Sequence, residues 1–393
     1  METNHHTAEN FSLSEGGPFY TALVKMRLLN HPGKIIVAGL CITWLPLAII
    51  TAFEGTFWSG PTLPFLKDVA MQVRLLIALP LLIAGRLFID KMVTVVIKYL
   101  SDTFMSSESR QQILDKILGR AKKLTNSALT ELVLMLIVIA TTIIVVKTGF
   151  VVALRSGSET WMAAGKNGNT SLTYAGDWAV FVSIPLFQFL LLRWLWRYIV
   201  WALLLFRISK LNLNLLPTHP DRAGGLGILI MAQRNFNLLF VAIGVILSGA
   251  LIAQLSADPD SFNTVRNEAI GYIVLSLILI LFPLLFFTGK LVKTKQEGLL
   301  KLSNLGVILS SKFENEWVNE MPVENSISEK EVDPSMVYDY SGIYDSLQKL
   351  RAVPVTIRDI IGLALILFIP FIPLLFIHFS VAELLQKILT LLA

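Results

Sequence analysis

The chain has 393 residues, 54% of them hydrophobic and only 16% charged, against roughly 25% charged in an ordinary soluble domain. With a mean hydropathy of +0.66, it carries more apolar surface than a soluble fold of this length can bury, and it reads as an all-α polytopic membrane protein. One cysteine excludes an intramolecular disulfide, and the net charge of +5 is that of membrane loops rather than a nucleic-acid footprint.

Residues 1–34 read as a cytoplasmic N-terminal tail, loose over Met1–Asn10, with His5 and His6 as tail composition rather than a metal site. The first apolar run begins at Ile35, behind a polar stretch too long for a signal n-region, and is expected to be a permanent span. Seven segments are long enough for a core of ~30 Å: Ile35–Phe53, Val69–Ile89, Glu131–Val152, Trp178–Tyr198, Phe236–Leu255, Ala269–Gly289 and Ile360–Ile377. The last carries Pro370 and Pro373, which kink it. Cys41, inside the first span, is expected to be an inert core thiol.

Of the 33 Lys and Arg residues, 23 fall in the N-terminal tail and in the connections after spans two, four and six. That asymmetry predicts those parts in the cytoplasm of a bacterial inner membrane, with the C-terminus outside. Between Asp90 and Thr130, Ile113, Ile117, Ala121 and Leu124 recur at helical spacing, with Leu114 and Leu118 beside them and Lys116, Arg120 and Lys123 opposite. This predicts an amphipathic cytoplasmic helix, whose apolar stripe is expected to meet the other large loop. That loop, 290–358, is basic over Lys290–Lys312 and acidic over Phe313–Asp345, with Pro322–Pro334 expected to be unstructured. The expected reading is positive-inside anchoring followed by a solvated acidic linker; the alternatives are that the basic part folds back on the acidic part or lies on anionic lipid. Val381–Ala393 reads as an outer amphipathic tail.

Within loop 207–235, residues Leu211–Gly227 are the most unusual stretch. A period-two Leu/Asn alternation runs into Pro217, His219, Pro220, Asp221 and Arg222, followed by Gly224, Gly225 and Gly227. Glycines that allow positive φ, ahead of a helix N-terminus, can make an anion nest to which Arg222 adds a bidentate donor. The same residues also suit a tight re-entry turn, with Asp221 as N-cap and the glycines packed on a neighbouring helix.

Arginines at membrane depth are the second feature. Arg74 and Arg86 of span two lie near its ends, where snorkelling competes with function. Arg193 and Arg197, flanked by Trp194, Trp196, Tyr198 and Trp201, read as an interfacial aromatic belt. Glu131 and Asp177 read as boundary residues. No catalytic residue, cofactor or metal set is expected: the sequence holds no Gly-x-Ser-x-Gly, no P-loop and no His-Glu-x-x-His.

Two stretches, Leu216–Gly227 and Leu350–Asp359, together with the proline-interrupted span Phe368–Leu375 and Glu383–Leu385, resemble a group of bacterial multi-pass inner-membrane proteins marked by a His-Pro-Asp-x-x-Gly-Gly-Leu-Gly loop. The resemblance implies a helical, bacterial membrane protein and carries no mechanism. The residues themselves favour a transport or channel-type protein. It would hold a small anion or lipid headgroup at the cytoplasmic face on His219, Asp221, Arg222 and the Gly224–Gly227 backbone, with Arg86 as a second contact. The partners expected are membrane lipids, that anion and a second copy of the chain. The competing expectation is a signalling or scaffold protein that works through its cytoplasmic loops.

Overall fold

The computed structural model of the protein describes residues 11–27, 31–105, 107–148, 160–166, 169–319 and 332–378. His5 and His6, the end of the third predicted span, residues 320–331 and the tail Val381–Ala393 lie outside the described residues. Seven helical segments are long and apolar enough to cross a membrane, so this is an all-α, multi-pass membrane protein. Because the spans alternate in direction, residues 11–27, 105–127, 210–228 and 286–356 share one side, called here the N-terminal side.

A short helix, α1 (Pro18–Lys25), precedes the first span, which is α2 (Pro32–Thr43) continued by α3 (Leu45–Phe53). Cys41 is exposed on this span and not in the core expected of it. The second span is α4 (Val69–Val73), a π turn over Arg74–Ala78, and α5 (Leu79–Phe104). The fourth follows the same plan: α8 (Tyr174–Trp178), a π turn over Ala179–Ser183, and α9 (Ile184–Ser209). In each, proline is the second residue of the long helix, Pro80 and Pro185. Proline lacks an N–H and crowds the carbonyl four residues back, and a widened turn absorbs both defects. Each span is also capped alike, Asp68 accepting from Met71 N at 3.1 Å and Thr173 from Gly176 N at 2.9 Å.

Between them, α6 (Glu108–Thr125) leads into the third span, α7 (Ala128–Lys147). The amphipathic helix forms as its periodicity predicts, but its buried stripe is Leu114, Ile117, Leu118, Ala121 and Thr125, and Ile113 is exposed. Its partner is α9, not the second large loop; Trp196 Nε1 donates to Leu124 O at 3.3 Å. Long α9 extends beyond the membrane core and offers the stripe a wall close at hand.

The fifth span, α10 (Leu229–Ala257), is the most buried and packs on spans two, six and seven. The sixth is α11 (Phe262–Leu285). Trp201 Nε1 donates to Gln233 Oε1 at 2.7 Å, Gln233 Nε2 to Ile280 O, and Tyr272 OH to Phe240 O. These bonds satisfy polar groups that lipid would leave bare and tie span five to its neighbours. Beyond it, α12 (Thr288–Phe313) and α13 (Pro334–Gln348) pair as a helical hairpin, with Tyr340 OH donating to Leu302 O at 2.5 Å. Among the described residues, the basic helix thus packs on α13, which carries the end of the acidic stretch, and the ion pairs of the two helices, Lys293–Glu297 and Lys349–Asp345, are local ones. The seventh span is α14 (Ile357–Phe368) and α15 (Ile372–His378), broken at Pro370, and its start carries a Thr356–Asp359 capping box.

On the far side, β1 (Ala163–Lys166) and β2 (Asn169–Leu172) form an antiparallel hairpin, and Trp161 Nε1 donates to Asp68 Oδ2 at 2.9 Å. Glu54 Oε1 accepts from Tyr174 N at 2.9 Å, while its Oε2 is buried without a partner. Burial raises the Glu54 pKa, the Tyr174 and Ala175 amides oppose the rise, and Asp177 adds to it. A carboxyl raised in the folded state favours folding when protonated, and that favour is lost as pH climbs through its folded value. Glu54→Gln is therefore expected to raise the melting temperature by roughly 1–3 °C at pH 8 and to leave it unchanged at pH 4, as thermal unfolding in detergent would read.

Candidate functional site

The glycine loop adopts the predicted positive φ: +64° at Gly224, +91° at Gly225, and +50° at Arg222. Its donors, however, are spent within the loop. Asp221 Oδ1 accepts from Ala223 N at 2.8 Å and Gly225 N at 3.1 Å, and Oδ2 accepts from Gly227 N at 2.9 Å. His219 Nδ1 lies 2.8 Å from Oδ1. Burial works against the charged form of Asp221, but the Ala223, Gly227 and Gly225 amides outweigh it and hold the carboxyl below its ordinary range. The nest already contains an anion, the chain's own carboxylate. Arg222 is exposed, and its backbone O accepts from Arg351 N at 2.9 Å, while Arg351 Nη2 donates to Asp221 O at 2.5 Å. The two motif stretches, 216–227 and 350–359, therefore meet as a structural joint.

Arg86 does not reach this loop. Gly225 packs against Phe104, eighteen residues further along α5 from Arg86, so the two are about 27 Å apart along the axis. Arg86 instead joins Arg193 and Arg197. Arg193 and Arg197 are 8% and 4% exposed, which corrects the belt reading: they point into the bundle, not to the interface. Arg74 sits apart from them, half-buried in the π turn of span two.

What holds the three arginines is the N-terminal segment that the sequence reads as tail. Phe11 and Leu13 are 2% and 0% exposed. Thr94 Oγ1 donates to Phe11 O at 2.7 Å. Gly16 and Gly17 take φ of +102° and +88°, and a Cβ on Gly17 would lie 2.7 Å from Glu131 Cδ; only glycine lets the backbone pass there. Ser14 N donates to Asp90 Oδ1 at 2.9 Å, and Ser14 Oγ donates to Asp90 Oδ2. Arg86 Nε donates to Ser14 Oγ at 2.9 Å and lies 3.8 Å from Asp90 Oδ2. Arg193 Nε donates to Glu131 Oε1 at 2.8 Å, and its Nη2 to Gly16 O at 3.0 Å. Glu131 Oε2 accepts from Phe19 N at 2.8 Å. Glu131, expected at a boundary, is thus the buried counter-ion of Arg193.

Arg197 differs. Its Nη2 donates to Ser14 O at 2.5 Å and its guanidinium lies 5.1 Å from the Trp194 ring centroid. Among the described residues no carboxylate lies within ion-pair distance of it. The three arginines form one end of a cleft of about 230 Å³ whose remaining wall is apolar: Phe19, Leu23, Ile35, Ile42, Leu82 and Leu190. The cleft lies between α1, α2, α5 and α9. Sequence reasoning missed it because its parts lie up to 183 residues apart. The available signals were the apolar Phe11 and Leu13 in a polar tail, and two acids, Asp90 and Glu131, near three membrane-depth arginines.

Among the described residues no group of three or more His, Cys, Asp or Glu side chains could hold a metal ion. Comparison of the chain with family models, curated proteins and solved structures finds no match.

Proposed function

We propose that this is a transport-type protein of the bacterial inner membrane that takes an anion, a small one or a lipid headgroup, onto Arg86, Arg193 and Arg197. Its N-terminus lies in the cytoplasm, its C-terminus outside, and it belongs with the inner-membrane group that it resembles. The asymmetry of basic residues supports the orientation. The observation that carries the binding is Arg197: a guanidinium 4% exposed, walled by apolar side chains and offered one backbone carbonyl. Asp90 and Glu131 offset the Arg197 charge only from beyond ion-pair distance; a buried charge so weakly paired is costly, and an anion in the cleft lowers that cost.

Thermal unfolding in mild detergent tests this. Millimolar anions or anionic lipid are expected to raise the melting temperature, by an amount equivalent to about 2.7 kcal/mol at one hundred times Kd. Arg197→Gln keeps a donor for Ser14 O and is expected to abolish the response without lowering the stability of the unliganded protein. Arg222→Ala is expected to leave the response intact. Failure of every anion to stabilise the wild type overturns the reading.

A second reading, a signalling or scaffold protein, is favoured by the α12–α13 hairpin, where Leu300 and Val307 are both 69% exposed and Tyr338 is 79% exposed. Crosslinking of the full chain through these positions to one defined partner would support it.

A further inference from the structure

We infer that the ligand is an amphiphile with a singly charged anionic head and one acyl chain in the cleft; this rests on the anion-binding reading above. The head is set by charge. Arg86, Arg193 and Arg197 face two acids inside the cluster, Asp90 and Glu131, while Glu15, the next acid beside them, is exposed to solvent; within the cluster, three positive charges against two negative ones leave a single positive charge. A carboxylate or phosphodiester closes that balance. A dianion overshoots it and leaves a buried negative charge, which a low-dielectric site disfavours.

The chain is set by shape. Apart from the arginines the cleft is lined by apolar side chains, from Ile35 near the start of the first span to Ile42 further in. Seven residues of helix carry this wall about 10 Å toward the middle of the membrane. An inorganic anion would leave that wall unused. A cavity of about 150 Å³ holds a benzene ring, so one of about 230 Å³ takes one acyl segment and not two. The arginines lie at the end nearer the N-terminal side, so a lipid of that leaflet enters head-level with its own headgroups. Two sources share this chemistry: a free fatty acid, or one chain of a bilayer phosphodiester lipid.

The test uses the full-length protein in mild detergent, read by melting temperature and by native mass spectrometry. The probes are oleate, phosphatidylglycerol, butyrate, phosphatidylcholine and phosphatidic acid. Oleate or phosphatidylglycerol is expected to bind at one per chain and to raise the melting temperature, while butyrate and phosphatidylcholine do neither at equal concentration. Oleate alone assigns the site to fatty acids and phosphatidylglycerol alone to the bilayer; either supports the inference. Ala38→Phe, which fills the apolar wall and leaves the arginines in place, is expected to weaken oleate binding at least tenfold. Butyrate binding as well as oleate overturns the acyl chain, and preference for phosphatidic acid overturns the single charge, while both leave anion binding standing. Phosphatidylcholine binding as well as phosphatidylglycerol overturns the anionic head. Silence of every anion overturns the underlying reading as well.

Discussion

Glu131→Ala is expected to destabilise the protein by about 3–5 kcal/mol, the range for breaking a buried ion pair from one side. The substitution strands Arg193, 8% exposed, and removes the acceptor of Phe19 N, so the N-terminal segment should loosen with it. Thermal unfolding in detergent measures the first effect, and hydrogen exchange over residues 11–20 the second. The double substitution Glu131→Met with Arg193→Met replaces the pair by apolar volume and is expected to recover at least half of the loss. A Glu131→Ala protein that melts with the wild type would show that the pair carries no weight.

Asp221→Ala is expected to cost about 3 kcal/mol, because the amides of Ala223, Gly225 and Gly227 lose their acceptor together in a loop where Ala223, Gly224 and Gly225 are buried. The Asp221 carboxyl is held below its ordinary value in the folded chain. Its contribution is therefore present above the unfolded carboxylate value and lost as pH falls through the folded one. The stability gap between wild type and Asp221→Asn is expected to be open at pH 7 and to close toward pH 3, as denaturation in parallel at the two pH values would show. A gap that is constant with pH would mean that the carboxylate charge is irrelevant to the loop.

The two substitutions mark where sequence reading succeeded and where it stopped. The seven spans are readable because each is a continuous apolar run, and the helix around Leu118 because its periodicity is local. The Asp221 turn was also within reach, since a carboxylate at that point can satisfy amides two to six residues on; the competing anion nest fails because that carboxylate arrives first. The arginine cleft was out of reach for a different reason. Trp194, Trp196 and Tyr198 beside Arg193 and Arg197 look the same at an interface or in a bundle, and only the course of Phe11–Phe19 decides between them. Three-dimensional partners of charge leave no period in the chain.

The path of the N-terminal segment also dictates an order of assembly. Ser14 bonds to a residue 183 positions later, and at ~5–20 residues per second of synthesis it waits on the order of ten seconds or more for that partner to exist. Ser14 and Gly16 are thus made well before the arginines that seat them. Span four enters the bilayer with Arg193 and Arg197 lacking the carbonyls of Gly16 and Ser14 that they hold in the finished protein. The segment closes the bundle from one end, as a keystone rather than a foundation.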